Sequence, residues 1–204
     1  MTTTSHRPAA RRGLSSTDLA LVAAFAALIA VCAILPAIQV GAGIVPITLQ
    51  TFGVLLAGAV LGAKRGFLAV LLYLAVGAAG LPVFSGGRGG FGILTGPTGG
   101  YLLGFALAAL LCGLIVERLP RGTVARSIPL VFAAGLISSA LFIHTLGIAG
   151  LVLRADLTWV EAWNTDKVFW IGDVIKNVLM ALVATSVHRA FPDLLPARRS
   201  AAGR

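Results

Sequence analysis

Four side chains that could recognise a small solute recur at helical spacing near the end of the sequence: Trp170, Asp173, Lys176 and Asn177. Residues three and four positions apart share one face of an α-helix. The surrounding stretch, 168–188, is otherwise apolar, and a charged side chain at the centre of a membrane helix costs about 2.5–3.5 kcal/mol. That cost favours an interior functional site, in which Asp173 accepts and Lys176 donates a hydrogen bond to a ligand. The alternative is an ion pair that only holds helices together.

The composition of the whole chain places this helix in a membrane. Of its 204 residues, 58% are hydrophobic and 11% are charged, and the mean hydropathy is +0.97. Soluble domains carry about 25% charged residues, so the composition excludes a soluble enzyme and a disordered tail. The net charge of +9 comes from cations at the edges of long apolar runs. That pattern is typical of a membrane protein with charged rims, and no nucleic-acid partner is predicted.

Charge-free runs predict an all-α membrane protein with six transmembrane helices, because a spanning helix needs about 20 apolar residues. The first run, 19–63, is long enough for two helices, and the break between them is marked by Pro36, Gly41, Gly43 and Pro46. The predicted helices cover residues 17–36, 48–63, 66–81, 100–118, 128–153 and 168–190. The transmembrane domain is assigned to 16–191, between an N-terminal tail at 1–15 and a basic C-terminal tail at 192–204.

The distribution of Lys and Arg predicts that both termini lie in the cytoplasm. Twelve of the 16 cations fall in the segments that would then be inside, three fall outside, and Lys176 lies within the sixth helix. Cytoplasmic loops of membrane proteins are enriched in Lys and Arg. All three Trp residues fall around the last outer loop, where Trp159 and Trp163 are predicted to share one face of a short interfacial helix.

Two further segments lie at the same predicted outer level as Asp173. Residues 80–101 form an apolar loop rich in glycine, which lets backbone groups approach a ligand closely. We predict this loop to be re-entrant, between the third and fourth helices. Residues 45–51 begin the second helix and bring the polar side chain of Gln50 to the same level. The alternatives are structural: a loop packed for its own sake, and helix capping or hydrogen bonding between helices.

Motifs for enzymatic chemistry are missing from the sequence. The glycine-rich stretch at 86–90 lacks the Lys-Ser/Thr pair of a phosphate-binding loop, so no ATP site is predicted in this chain. There is no H-E-x-x-H motif and no visible nucleophile–base pair. His144, near the middle of the fifth helix, is interpreted as a hydrogen-bonded structural residue rather than a proton relay. The sequence therefore predicts a protein that is not an enzyme and uses no cofactor.

Four motifs, in order along the chain, resemble the BioY family, the biotin-specific substrate-capture subunits (S components) of energy-coupling-factor transporters. They are Val-Pro-Ile-Thr-Leu-Gln at 45–50, Gly-Leu-Pro-Val-Phe-Ser-Gly-Gly-x-Gly-Gly at 80–90, Gly-Pro-Thr-Gly-Gly-Tyr at 96–101 and Gly-Asp-x-x-Lys at 172–176. The resemblance spans nearly the whole hydrophobic chain. It implies a subunit of the bacterial plasma membrane that captures biotin from the outside and delivers it inward.

The resemblance also implies which residues contact the ligand. The family's ligand-contacting positions fall on Arg88, Gly100, Tyr101, Asp173 and Lys176. Other members can carry Asn at position 88, so Arg88 is a departure from the family pattern. We hypothesise that Arg88 attracts the biotin carboxylate; the alternative is that it only extends into water.

Partners follow from the same resemblance. Family members are energised by a membrane coupling protein and two ATP-binding cassette ATPases, and some are thought to work without them. An alanine pattern in the first helix is taken to contact the coupling protein, and here it comprises Ala23, Ala26, Ala27 and Ala30. Small residues let helix backbones approach closely in lipid. Packing within the same bundle is the alternative.

The chemistry of biotin fits these side chains. An ionised Asp173 can accept a hydrogen bond from a ureido N–H, and Lys176 can donate to the ureido carbonyl or to the carboxylate. Three aromatic side chains could flank the fused rings and the thioether: Phe84, Tyr101 and Trp170. Two other functions remain open at this point. An S component for another vitamin would be expected to place more aromatics in its pocket, and a small antiporter using Asp173 as a proton site would show no vitamin affinity.

Overall fold

The fold is described by a computed structural model that covers residues 13–37 and 45–195. Within these residues the chain is helical and forms no β-strand. The helices are α1 (Ser16–Ile34), α2 (Gln50–Leu61), α3 (Ala63–Ala78), α4 (Phe91–Thr95), α5 (Gly99–Arg118), α6 (Arg121–Val124), α7 (Ile128–Ser138), α8 (Thr145–Arg154) and α9 (Trp159–Ala190). A π-helical stretch, Ser139–His144, joins α7 to α8. Most of both predicted tails, and the predicted break at Gly41 and Gly43, lie outside the described residues.

Four helical segments are long and apolar enough to cross a membrane. They are α1, α5, α9 and the continuous segment Ile128–Arg154, which combines α7, the π-helical stretch and α8. α2 is apolar but has only 12 residues. The chain is therefore an all-helical membrane protein, and each predicted helical range contains a helix.

The last helix begins earlier than predicted. α9 starts at Trp159 rather than at 168, because Thr158 and Glu161 form a capping box. The Thr158 side chain accepts a hydrogen bond from the Glu161 N–H at 3.3 Å, and Glu161 accepts one from the Thr158 N–H at 2.8 Å. The separate interfacial helix predicted for Trp159 and Trp163 is therefore wrong, since both residues lie in the first turns of α9.

Close contacts between small residues pack the other helices around α5. A Cβ atom added at Gly58 of α2 would collide with the carbonyl oxygen of Ala109 in α5. On another face of α5, a Cβ added at Gly150 of α8 would lie only 2.9 Å from the Cα of Gly100. Small residues let helix backbones approach in this way in lipid, where van der Waals contact drives association. These contacts fix α2 against the middle of α5, at Ala109, and α8 against its N-terminal end, at Gly100.

At one end of the bundle, charged side chains connect the N-terminal ends of α1, α3 and α6 to the residues that follow α9. Arg65 pairs with Asp18 at 3.2 Å and also donates to the Leu194 carbonyl. Arg121 donates to Asp193 at 3.1 Å and to the Leu195 carbonyl at 3.1 Å. Leu195 is buried. The residues that follow α9 therefore pack back on the bundle as far as the described chain extends.

Candidate functional site

A cavity lies where the start of α2, the loop before α4, the start of α5, the π-helical stretch and α9 meet. Its empty space, with the open solvent at its mouth included, is about 640 Å³. Six of the nine predicted ligand-binding residues line it: Gln50, Phe84, Arg88, Tyr101, Asp173 and Lys176. The cavity thereby brings together residues from five separate segments, the first and last of which are more than a hundred positions apart in the sequence.

Asp173 and Lys176 form the polar floor of this cavity. The two side chains make an ion pair, and both are buried. Lys176 also donates to the Thr48 carbonyl at 3.0 Å, and Asp173 accepts a hydrogen bond from the Thr51 hydroxyl at 2.9 Å. Asp173 and Lys176 therefore lie side by side, as their spacing predicts, and the chain that begins α2 holds each of them by a hydrogen bond. Buried charges held by such contacts are oriented before any ligand arrives.

A second carboxylate, Asp166, lies behind this pair and was not predicted. It is completely buried and accepts hydrogen bonds from the Tyr101 hydroxyl at 2.9 Å and the Trp170 indole N–H at 3.0 Å. His144 lies between the two carboxylates, 2.9 Å from Asp166 and 3.3 Å from Asp173. Tyr101, Asp166, His144, Asp173 and Lys176 thus form one connected network.

The signal for Asp166 was present in the sequence. Asp166, Trp170, Asp173 and Lys176 continue a single stripe at spacings of four, three and three. The predicted helix began at 168, so Asp166 was assigned to a loop. His144 was recognised as an intramembrane histidine, but a sequence cannot show that its ring would face two acids.

Three predicted contact residues lie behind the cavity wall. Trp170 stacks on His144 with ring centroids 4.5 Å apart and does not line the cavity. Asn177 donates to the Asp173 carbonyl at 3.1 Å, and its oxygen faces Gly135 of α7. Gly100 packs its Cα against Gly150 of α8. Trp170, Asn177 and Gly100 contact neighbouring residues of the bundle rather than the cavity, so they support the side chains that line it.

Arg88 reaches the cavity from a tight turn in the loop between α3 and α4. The Phe84 N–H donates to the Arg88 carbonyl at 2.9 Å, and the turn between them uses Gly86 and Gly87 at φ of +72° and +68°. The Arg88 side chain is exposed and donates to the Ser85 carbonyl at 3.0 Å. Positive φ values of this kind favour glycine, which explains part of the glycine content of the loop.

Aromatic side chains form the apolar walls. Phe84 is buried and meets Tyr73 edge to face, with centroids 5.5 Å apart. Tyr101 meets Phe169 at 6.1 Å, and both line the cavity. Gln50 is held by its hydrogen bond to the Tyr73 hydroxyl at 2.7 Å. The walls are therefore anchored to the helices behind them.

The charges around the cavity are unequal. Its lining contains one acid, Asp173, and two permanent cations, Arg88 and Lys176, besides His144. A cavity with excess positive charge and aromatic walls suits a largely apolar ligand that carries one anionic group. Among the described residues, no group of three or more His, Cys, Asp or Glu side chains is arranged to hold a metal ion.

The sequence matches the model of the BioY family over residues 3–193. The chain belongs to the BioY family. The biotin transporter BioY of Rhodobacter capsulatus is 46% identical, and the aligned part covers 89% of this chain and 98% of that protein. The biotin transporter BioY of Rhizobium etli is 43% identical and is covered over 100% of its length, with 91% of this chain aligned.

A solved structure is similar as well. It is the crystal structure of the S-component for biotin from an ECF-type ABC transporter, which superposes with a TM-score of 0.79 at 29% identity. The similarity covers 85% of this chain and 91% of that one. The BioY resemblance drawn from four short motifs is therefore confirmed over nearly the whole chain.

The alanine pattern of α1 is divided between two surfaces. Ala23 and Ala27 are exposed on the outside of the bundle. Ala26 is buried, and Ala30 is partly buried against the hydrophobic core. Ala26, which was predicted to contact a partner, faces the bundle, whereas Ala30 lies within about 20° of Ala23 around the helix and is only partly covered.

Proposed function

We propose that this chain is the substrate-binding subunit of a biotin transporter, and that biotin binds in the cavity above Asp173 and Lys176. The observation that carries the proposal is the lining itself: a buried carboxylate and ammonium at the floor, aromatic walls, and an additional cation on the loop. Membership of the BioY family and the relatives named as biotin transporters support it.

The ureido ring of biotin is assigned to the floor. The ring offers two N–H donors and one carbonyl acceptor, and the floor offers the complementary groups. Asp173 accepts from a ureido N–H, and Lys176, which still has a donor beyond those used for Asp173 and Thr48, donates to the carbonyl. Hydrogen bonds to charged groups contribute about 1.5–3 kcal/mol each.

The rest of the molecule then extends along the walls. The thioether ring packs against Phe84, Tyr101 and Phe169, and the valeryl chain points toward Arg88. Among the described residues, Arg88 contacts no carboxylate. Its guanidinium is therefore available to pair with the carboxylate of the ligand. Its exposure means that this end of biotin stays close to water.

We propose a bacterial plasma-membrane location with six spans and both termini inside. Support comes from the Lys and Arg distribution and from the fold, in which α2 and α3 meet in a tight turn at Gly62 with φ of +82°. α2 and α3 have 12 and 16 residues, or about 18 and 24 Å of helix. Together with the segments that flank them, they form the second and third spans. The cavity then opens to the outside, and the loop from 80 to 98 with α4 is the proposed re-entrant segment.

We propose that the partners are a membrane coupling protein and two ATP-binding cassette ATPases. The similar solved structure is an S-component from an ECF-type ABC transporter, and the sequence of this chain carries no phosphate-binding loop of its own. The exposed stripe of small residues on α1, with Ala23 and Ala27 at its centre, is the proposed contact for the coupling protein. No cofactor is proposed.

Isothermal titration of the purified full-length chain with biotin, desthiobiotin and thiamine tests the function. We expect biotin to bind at a ratio of one per chain. Desthiobiotin should also bind, because it keeps the ureido ring and the carboxylate. Thiamine should not compete, because it is cationic and lacks the ureido group. Thiamine binding, or no affinity for biotin together with proton-driven transport, would contradict the proposal and favour another vitamin carrier or an antiporter.

A further inference from the structure

His144 faces two carboxylates at once. One ring nitrogen, Nδ1, lies 2.9 Å from Asp166 Oδ2, and the other, Nε2, lies 3.3 Å from Asp173 Oδ2. The imidazole ring stacks on Trp170 with an interplanar angle of 20°. The ring lies flat on the indole and is buried, and in this orientation each of its nitrogens faces an acid.

This geometry favours a ring that carries a proton on both nitrogens when the two carboxylates are ionised. A neutral imidazole has one N–H donor and one nitrogen lone pair, whereas an imidazolium donates from both nitrogens. With neutral His144, one ring lone pair would face the lone pairs of a carboxylate. With the imidazolium, both contacts become charge-assisted hydrogen bonds.

The charge balance of the network leads to the same state. Asp166 and Asp173 carry two negative charges, and the ion pair with Lys176 supplies one positive charge. The imidazolium of His144 supplies the second and makes the buried network neutral. An uncompensated buried charge is costly, because removing one partner of a buried pair leaves the other charge without water or a counter-ion.

The elements around His144 contain no other cation that could take its place. α7 has no ionisable residue in its sequence, and the ionisable residue of α8, Arg154, donates to the Leu94 carbonyl at 2.8 Å. From α5, Tyr101 faces Asp166 as a neutral donor. From α2, Thr51 faces Asp173 as a neutral donor. Arg88 lines the same cavity but is held at the Ser85 carbonyl.

We propose that His144 is a positioning residue of the ligand site: as an imidazolium clamped between Asp166 and Asp173, it keeps Asp173 ionised and oriented to accept a hydrogen bond from the ligand. The role in binding rests on the proposed function, whereas the charge state of the ring does not. His144 ends the π-helical stretch, and such stretches occur frequently at functional sites. Asp166 acts through His144, since it lies behind the ring and outside the cavity lining.

The charge state can be measured without any ligand. Nitrogen-15 NMR of histidine-labelled full-length chain, at pH 7.5, distinguishes an imidazolium from either neutral tautomer. We expect protons on both ring nitrogens of His144. The sequence contains three histidines, so the signal is assigned with a His144→Gln variant or, if that variant does not fold, with a variant in which both His6 and His188 are replaced by Gln. A neutral ring would overturn the inference, whether or not the chain binds biotin.

The positioning role is tested by a cycle of variants titrated with biotin. His144→Gln should weaken binding by about tenfold or more, because it leaves two buried carboxylates with one cation and so favours a protonated Asp173, which loses its charge-assisted hydrogen bond to the ligand. His144→Gln combined with Asp166→Asn removes one positive and one negative charge together. We expect this double variant to bind more tightly than His144→Gln alone, to within about threefold of the parent. A double variant that binds biotin as weakly as His144→Gln alone, or more weakly, would overturn the inference.

A matched control comes from the other described histidine. His188 is also buried in the bundle, where it contacts the Ala59 carbonyl at 2.9 Å, and it does not line the cavity. His188→Gln should leave biotin affinity unchanged, and an equal loss in His144→Gln and His188→Gln would contradict a specific role. If the parent chain itself fails to bind biotin, the proposed function falls, and the NMR result still decides the charge state of His144.

Discussion

The two ends of the cavity are built in different ways. At the floor, Asp173 and Lys176 are buried and tied to α2, to the π-helical stretch and to each other. At the loop, Arg88 is exposed on a glycine turn and makes one side-chain hydrogen bond to Ser85. A preorganised buried site loses little conformational entropy on binding, and it rejects ligands that would leave one of its buried charges unpaired. An exposed cation adds only an attraction that water and salt screen. Recognition of the ureido ring should therefore dominate affinity, and the carboxylate end should modulate it.

The largest effect is expected at the floor. Asp173→Asn keeps the shape of the side chain but removes the charge that accepts the ureido N–H and balances Lys176. Charged hydrogen bonds are worth about 1.5–3 kcal/mol, so biotin affinity measured by calorimetry should fall at least about tenfold. Lys176→Met should have a similar effect. Parent-like binding by both folded variants would show that the floor is not the site.

The next effect concerns the anchoring of the wall. Gly77→Ala places a Cβ into the ring of Phe84, and overpacking of this kind costs about 1–3 kcal/mol. We expect a lower melting temperature and weaker biotin binding. Gly92→Ala is the matched control in α4, because a Cβ there meets nothing within 4 Å. If the two variants behaved alike, Phe84 would not be a fixed wall.

A smaller effect is expected at the loop. Arg88→Asn removes the exposed cation, and exposed ion pairs contribute about 0.2–1 kcal/mol. Biotin affinity should therefore fall by about fivefold or less, and the loss should shrink when salt is added because exposed charges are screened. Arg88→Lys, which keeps the charge, is the control. A loss as large as that of Asp173→Asn would remove the distinction between the two ends.

No effect on binding is expected on the outside of α1. Replacing Ala23 and Ala27 by Leu adds bulk to the exposed stripe, so calorimetry with the isolated chain should match the parent. Biotin uptake by cells that supply a coupling protein and ATPases should be lost. Ala26→Leu provides the contrast, because Ala26 is buried in the bundle and the change should lower stability. Uptake that survives the Ala23 and Ala27 changes would argue against a partner contact on this stripe.

The two charges at the floor stand out in the sequence more clearly than the residues that support them. Asp173 and Lys176 stand out because they interrupt an apolar run, and that contrast is visible in any membrane helix. Asp166 lies among polar neighbours near the start of α9, including Asn164, Thr165 and Lys167. Its burial depends on Tyr101, which is far away in the chain. Contacts between distant helices carry no local signature.

Helix positions were predicted more accurately than helix faces. Charge-free runs determine where apolar helices lie, because charge is costly in lipid. They do not determine which side faces the bundle, since lipid and protein interior are both apolar. Ala26 and Ala23 were therefore treated alike, although one is buried and the other is exposed. Gly100 shows the same limit, because a glycine motif does not reveal whether a ligand or a helix approaches it.

A cycle of two ligands and two variants tests the central claim most directly. Biotin and its uncharged amide are titrated into the parent chain, Asp173→Asn and Arg88→Asn. If the ureido ring binds at the floor and the carboxylate at the loop, Asp173→Asn weakens both ligands equally. Arg88→Asn then weakens only biotin and abolishes the preference for biotin over its amide. An unchanged preference in Arg88→Asn, or a loss of preference in Asp173→Asn, would contradict this arrangement.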